Sequence, residues 1–71
     1  MEMTIKLRLA RRIKELRKKK GLTQEQLSEL SGIDYKHIQL LESKKTPAAK
    51  LDTIEKIAEA FNITPSKLLK F

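Results

Sequence analysis

The chain has 71 residues, with 16 Lys and Arg against 9 Asp and Glu, and its formal net charge is +7. This length allows one small domain and leaves little room for an enclosed substrate cavity. The absence of cysteine excludes a disulfide framework and a thiolate metal site, and no apolar run is long enough for a transmembrane helix or a signal-peptide core.

The positive charge is concentrated in two stretches of the chain. Between Lys6 and Lys20 the basic residues far outnumber the single acid, Glu15, and a second cluster follows at Lys44 and Lys45. Such a surplus attracts polyanions, which include nucleic acid, anionic lipid and acidic proteins. A solvated helix face that only keeps the chain soluble would have the same composition, so composition leaves both interpretations open.

The first predicted element is a helix over residues 5–20, which Gly21 ends. Apolar residues recur along it at the spacing of a single helical stripe. The residues of this stripe are Ile5, Leu9, Ile13 and Leu16. We therefore expect one face of this helix to lie on the core.

Two short helices follow, over residues 23–31 and 34–43, and each has its own start signal. Thr23, with a glutamine three residues later, fits a capping box, and the carboxylate of Asp34 can accept bonds from the N–H groups that open the second of these helices. Gly32 stands where the chain leaves the first of them, a position suited to a left-handed residue. The residues expected to face inward are Leu27, Leu30, Ile38 and Leu41.

The rest of the chain predicts a loop and two more helices. Pro47 removes a backbone donor and restricts the residue before it, which makes residues 43–50 a loop. The two helices are predicted over residues 51–61 and 65–70. Asn62 closes the first of them, and Thr64 before a proline is an N-cap that opens the second. The inward face of the fourth helix is expected to consist of Leu51, Ile54, Ile57, Ala58 and Phe61. The expected fold is all-α, with five helices in one domain over residues 1–71.

No pattern in the sequence indicates an enzyme. There is one histidine, His37, with no cysteine and no spaced pair of carboxylates to supply a base, a nucleophile or a metal cage. We interpret His37 as a surface or phosphate-contacting side chain. Glu25, Glu29 and Asp34 are interpreted as solvated helix faces and a helix cap. No metal, cofactor or small-molecule ligand is expected.

The helix over residues 34–43 has an outward face that is suited to reading DNA bases. Two helices joined by a tight glycine-containing turn form the unit that proteins use to set one helix into the major groove. With Ile38 and Leu41 inward, a rotation of 100° per residue turns the opposite face away from the core. A thymine methyl group would give an outward Leu40 an apolar partner, although Leu40 could instead be a partly exposed packing residue. The candidate base-reading residues are Tyr35, Lys36, Gln39 and Leu40.

Residues on the flank and at the end of this helix, and residues beside it, are candidates for contacts to DNA phosphates. Gln24 lies at the first turn of its helix, where the free N–H groups and the helix dipole favour an anion, although an ordinary surface glutamine is the alternative. Side chains that leave the end of the third predicted helix would lie along the sugar-phosphate backbone if that helix is in the groove. The full candidate set is Thr23, Gln24, His37, Ser43, Lys44, Lys45 and Thr46.

Several stretches resemble the Cro and phage-repressor (XRE-type) helix-turn-helix family. The matching stretches are Ile13-Lys-Glu-Leu-Arg17, Gly21-Leu-Thr-Gln-Glu-Gln-Leu27, Ile38-Gln-Leu-Leu-Glu42, and Leu51 to Phe61 with Ile63. The resemblance implies a compact five-helix, lambda-repressor-like domain in which residues 34–43 form the recognition helix. It implies a phosphate contact for Gln24 and base contacts for Tyr35, Lys36 and Leu40. It also implies an ion pair between Arg17 and Glu42, which the helical wheel supports because both residues lie at the margins of their apolar stripes.

The sequence departs from the family pattern in two places that concern structure. Ser28 stands where a smaller residue, commonly alanine, is usual. A frequent glycine after the third helix is replaced by a lysine-rich segment, and if Lys44 had to take a left-handed conformation there, the loop would be strained.

The function predicted from these features is sequence-specific binding of double-stranded DNA by a cytoplasmic transcriptional regulator, such as a repressor. One helix reads few base pairs, so we expect a homodimer on a palindromic operator, with two recognition helices about 34 Å apart. The expected dimer surface is the apolar C-terminal end, formed by Leu68, Leu69 and Phe71; simple packing onto the fourth helix is the alternative.

Two other classes of function stay open from the sequence. One is an antitoxin-type protein-interaction module that also binds DNA. The other is a basic amphipathic surface that binds membranes or RNA through the first helix. Specific DNA binding should persist at salt concentrations that abolish the non-specific attraction, because the latter is almost wholly counterion release.

Overall fold

The computed structural model describes residues 4–71 and contains five α-helices, with no strand in that part of the chain. The helices are α1 (Ile5–Lys19), α2 (Gln24–Ser31), α3 (Tyr35–Leu41), α4 (Leu51–Ala60) and α5 (Pro65–Leu68). This arrangement confirms the predicted all-α class and the order of the five elements. The predicted ranges were longer at their ends because they included capping residues and the irregular turns that follow the helices. Within residues 4–71, no helix combines the length and the apolar character needed to cross a membrane.

Side chains cap the N-termini of four of the five helices. The Thr4 hydroxyl accepts from the Leu7 N–H (3.3 Å), and the Thr64 hydroxyl accepts from the Lys67 N–H (3.1 Å). Thr23 and Gln26 form the complete capping box, in which the Gln26 N–H donates to the Thr23 hydroxyl and the Thr23 N–H donates to the Gln26 side chain. Asp34 caps α3, and α4 begins at Lys50 with no side-chain cap. The start signals predicted at residues 23, 34 and 64 are therefore confirmed.

Three residues in the left-handed region end helices or the turns that follow them. Gly21 and Gly32 have φ values of 69° and 73°, and Asn62 has a φ of 57°. Asn62 is the only non-glycine residue with positive φ in the described part of the chain. Lys44 therefore does not take a left-handed conformation, and the strain considered for the loop after α3 does not arise.

All five helices contribute side chains to one core. The largest fully buried side chains are Ile13, Leu27, Ile38, Leu41, Ile57, Phe61 and Leu68. Leu22, Ile33 and Ile63, which lie outside the helices, also pack in or against this core. Burial of these apolar side chains supplies most of the driving force for folding in a domain of this size.

The structure corrects three residues that the periodicity predicted to face inward. Leu30 is 59% exposed because Leu27 and Ser31, one turn apart, form the buried face of the short helix α2. Ile5 and Leu51 are 72% and 84% exposed. Each is the first residue of its helix, and no described residue covers it there although its angular position is close to that of the apolar stripe.

A side chain of α1 holds α5 in place. The Arg12 guanidinium donates from Nε to the carbonyl oxygen of Leu68 (3.3 Å) and from Nη2 to that of Lys67 (3.0 Å). These carbonyls lie at the end of α5, where the last C=O groups of a helix have no N–H donor within the helix and a cation is favourable. The C-terminal helix is therefore attached both by the buried Leu68 and by this polar contact.

Candidate nucleic-acid interface

The turn between α2 and α3 is held by side-chain hydrogen bonds as well as by its glycine. The Ser28 hydroxyl donates to the carbonyl oxygen of Ile33, across the turn. The Ser31 hydroxyl donates to the carbonyl oxygen of Leu27 (2.7 Å) and accepts from the Ile33 N–H (3.2 Å). Ser28 thus fits the position where alanine is common and adds a bond that alanine cannot make. The direction of α3 relative to α2 is fixed by these contacts together with the left-handed Gly32.

Helix α3 presents a polar face with one leucine to solvent. Ile38 and Leu41 are 0% and 1% exposed and anchor the helix on the core. On the other side, Leu40 is 49% exposed and Tyr35 is 40% exposed. The remaining exposed residues of this helix are Lys36, His37 and Gln39. All four candidate base-reading side chains are therefore at the surface and belong to one seven-residue helix.

The N-terminus of α2 lies beside the end of α3. Gln24, the first residue of α2, is half-buried, and its Nε2 donates to Glu42 Oε1 at 3.3 Å. The first N–H groups of a helix have no intrahelical acceptor and attract anions. This end of α2 combines such N–H groups with the exposed Thr23 and with the oriented amide of Gln24.

The loop after α3 is only partly available for contacts to an anion. Lys44 and Lys45 are exposed, whereas Ser43 uses its hydroxyl to donate to the carbonyl oxygen of Leu40 (2.8 Å) and to accept from the Lys45 N–H (3.2 Å). Thr46 is 9% exposed and its hydroxyl donates to the carbonyl oxygen of Pro47. The Thr46 side chain therefore offers little surface for the phosphate contact that the sequence predicts.

Basic residues of α1 extend the positive surface of this loop. Arg11 and Lys14, on α1, line the same surface cleft as Glu42, Ser43 and Lys44. Sequence reasoning identified the high charge of this helix but did not assign Arg11 and Lys14 to the loop after α3. Only the packing of α1 against the end of α3 brings them there.

An ion pair joins α1 to the residue that follows α3. Arg17 Nε lies 2.7 Å from Glu42 Oε2, and Arg17 Nη2 lies 3.0 Å from Glu42 Oε1, which makes the pair bidentate. The two side chains are 10% and 2% exposed. Arg17 Nη1 also donates to the carbonyl oxygen of Leu22 at 2.8 Å. The ion pair expected between Arg17 and Glu42 is therefore present in the structure.

Comparison with known proteins identifies the family of this domain. A family model described as helix-turn-helix matches residues 13–68. The chain belongs to the helix-turn-helix family. Its type is that of the Cro and phage-repressor (XRE) proteins, so that α2 and α3 are the two helices of the motif and the domain is a DNA-binding transcriptional regulator.

A solved structure gives a second comparison for this helix-turn-helix domain. The restriction-modification controller protein C.AhdI from Aeromonas hydrophila is 37% identical in sequence, with a TM-score of 0.81. The match covers 87% of this chain and 92% of that chain. A comparison with curated protein sequences gives no match.

The residues predicted for a dimer surface are not all at the surface. Leu68 is 0% exposed and forms part of the core, so its side chain cannot take part in a contact between subunits. Leu69 and Phe71 are 40% and 46% exposed. The helical pattern could not separate Leu68 from Leu69, because α5 has only four residues and gives no periodicity.

Proposed function

We propose that this helix-turn-helix protein binds a specific DNA operator as a homodimer, with α3 of each subunit in the major groove. The observation that carries the proposal is the exposed face of α3, which combines a cation, an amide and a leucine on a helix anchored by two fully buried residues. Lysine can donate to guanine, glutamine can pair with adenine, and leucine can contact a thymine methyl group. We assign base reading to Tyr35, Lys36, Gln39 and Leu40.

The proposed contacts to the DNA backbone lie on both sides of α3. On the α2 side they are Thr23 and Gln24, and on the other side they are Lys44 and Lys45 with Arg11 and Lys14 of α1; His37 is a further exposed candidate on α3. Contacts to phosphates fix the register of a protein on the duplex without reading its sequence. Ser43 would have to release its bond to the carbonyl oxygen of Leu40 before its hydroxyl could donate to a phosphate.

A dimer is proposed because one copy of α3 is short. Seven residues at 1.5 Å per residue span about 10 Å, which corresponds to roughly three base pairs of the groove. Two half-sites separated by about 34 Å would give the specificity that a regulator needs. The exposed Leu69 and Phe71 are the proposed dimer contacts.

The biological role that we propose is control of gene expression, by repression, in the manner of small controller proteins. The similarity to a restriction-modification controller over most of both chains supports this class of role. Because its proposed partner is a DNA operator, we propose that the protein acts in the cytoplasm.

Selection of bound duplexes from a random pool tests the proposed function. We expect enrichment of an inverted repeat whose half-sites are about one helical turn apart. Lys36→Ala and Leu40→Ala should each change the preferred half-site, whereas Lys56→Ala, which removes an exposed charge from α4, should leave the preference unchanged.

Two results would contradict the proposed function. The first is a failure to enrich any motif, with binding to selected and scrambled duplexes lost in parallel as salt increases; this would indicate a non-specific basic binder. The second is an unchanged half-site preference in both α3 variants, which would show that other residues read the bases.

A further inference from the structure

The carboxylate of Glu42 receives hydrogen bonds from two other helices. Its Oε2 accepts from Arg17 Nε at 2.7 Å, and its Oε1 accepts both from Arg17 Nη2 at 3.0 Å and from Gln24 Nε2 at 3.3 Å. The Glu42 side chain is 2% exposed. One buried carboxylate therefore joins α1, the first residue of α2 and the end of α3.

This contact determines which way the Gln24 amide faces. An ionised carboxylate only accepts hydrogen bonds, so the NH2 group of Gln24, and not its carbonyl oxygen, must face Glu42. One N–H of that group is used by Glu42, and the second N–H remains to donate elsewhere. Gln24 lies at the N-terminus of α2, so this donor is placed beside the helix N–H groups that favour an anion.

We propose that Glu42 is a positioning residue that orients Gln24 to donate to a phosphate of the DNA backbone. This inference rests on the proposed function and assigns a new role to the carboxylate within that site. A glutamine side chain that is already held in its binding conformation loses less conformational entropy when it contacts DNA. Preorganisation by Glu42 therefore strengthens a contact that Glu42 does not itself make.

Arg17 allows the carboxylate of Glu42 to lie close to the DNA backbone. A lone negative charge near a phosphate would repel the DNA, and like charges brought together at an interface weaken binding. The bidentate guanidinium neutralises Glu42 while one lone pair of Oε1 still serves the Gln24 amide. The ion pair and the phosphate contact are thus parts of one hydrogen-bonded chain.

A double-mutant cycle on operator affinity tests this role. We expect Gln24→Ala to weaken binding to the selected operator by about tenfold, in the range of a hydrogen bond to a charged group. Glu42→Gln should weaken it by a similar factor, and the double variant should bind no more weakly than either single variant. Effects that multiply in the double variant would overturn the proposal, because they would show that Glu42 acts independently of Gln24.

Lys36 provides the control for this cycle. Lys36 lies on the exposed face of α3 and has no hydrogen bond with Glu42 among the contacts of the described residues. The effects of Lys36→Ala and Glu42→Gln on operator affinity should therefore multiply. If the double variant of Lys36→Ala and Glu42→Gln also binds no more weakly than either single variant, Glu42→Gln acts by disturbing the whole domain. That result would also overturn the proposal.

A measurement on the free wild-type protein keeps the proposal testable if Glu42→Gln does not fold. Side-chain amide NMR relaxation should show Gln24 restricted, with an order parameter near that of rigid backbone, about 0.8, and Gln39 flexible, below about 0.6. Equal mobility of the two amides would overturn the proposal. This measurement uses no DNA, so it separates failure of the positioning role from failure of operator binding.

Discussion

At the scale of single residues, Arg17 shows how a charge is accommodated in the interior of a small domain. Its guanidinium makes two bonds to Glu42 and one to the carbonyl oxygen of Leu22. Removing two charges from water is costly, and a buried ion pair often contributes little net stability for that reason. Breaking the pair is a different matter, because it leaves the remaining charge buried without a partner.

Glu42→Ala should therefore lower the free energy of unfolding by about 3 kcal/mol, with a fall in Tm of at least about 10 °C. The matched control is Glu29→Ala on the exposed face of α2, which should change stability by no more than about 0.5 kcal/mol. Thermal denaturation followed by circular dichroism measures both. Equal melting temperatures would contradict the structural role of the pair.

The sequence predicted the Arg17–Glu42 pair but could not predict the bond from Glu42 to Gln24. The family resemblance implied this pair, and the positions of both residues at the margins of their apolar stripes supported it. Whether a third side chain reaches the same carboxylate depends on how closely α2 approaches the end of α3, where Gln24 Nε2 lies 3.3 Å from Glu42 Oε1. The exclusion of Thr46 from the surface has the same origin, since it follows from how the loop folds back on the core.

At the scale of elements, three of the four connections between helices contain a left-handed residue, and these residues are Gly21, Gly32 and Asn62. Gly32 has a φ of 73°, and a Cβ atom added there would meet nothing within 4 Å. A substitution at this position therefore causes backbone strain without a steric clash. Asn62, with a φ of 57°, already carries part of such a strain after α4.

Gly32→Ala should lower the free energy of unfolding by about 1–2 kcal/mol, which is the usual cost of the left-handed conformation for a residue with a side chain. Asn62→Gly should raise the free energy of unfolding or leave it unchanged, because glycine takes this conformation without steric cost. Urea denaturation of the two variants provides the comparison. A neutral Gly32→Ala would show that the α2–α3 turn can adopt another backbone conformation.

Helix ends were predictable from the sequence, whereas the exposure of particular leucines was not. Capping residues and left-handed residues act within about one turn, so Thr23, Gly32 and Asp34 identified the ends of α2 and the start of α3 directly. Periodicity gives the direction of a side chain but not whether another element covers it. Leu30 and Leu51 were predicted to be inward for this reason and are exposed.

At the scale of the whole molecule, the buried leucine and the exposed leucine of the C-terminal segment have different roles. Leu68 completes the core, whereas Leu69 and Phe71 each leave apolar area exposed in the C-terminal segment. Exposed apolar area on a small domain can mark a contact with another chain. The C-terminal end is therefore where self-association should be tested.

Leu69→Glu and Phe71→Glu should each weaken the proposed homodimer, because a charge would have to lose its hydration inside an apolar contact. Leu51→Glu is the control, since Leu51 is an exposed leucine at the start of α4, outside the C-terminal segment. Sedimentation equilibrium measures the dissociation constant of the dimer. If only Leu51→Glu weakens association, the subunits meet at another face.

The contacts of Arg12 with the last helix have a consequence for how this chain is made in the cell. They join residues 55 and 56 positions apart, so they cannot form until nearly all of the domain has left the ribosome. Before that moment the site occupied by Leu68 is open to water, and α1 lacks its polar attachment to α5. A chain from which Leu68 has not yet emerged therefore lacks part of its core and should not hold its final fold.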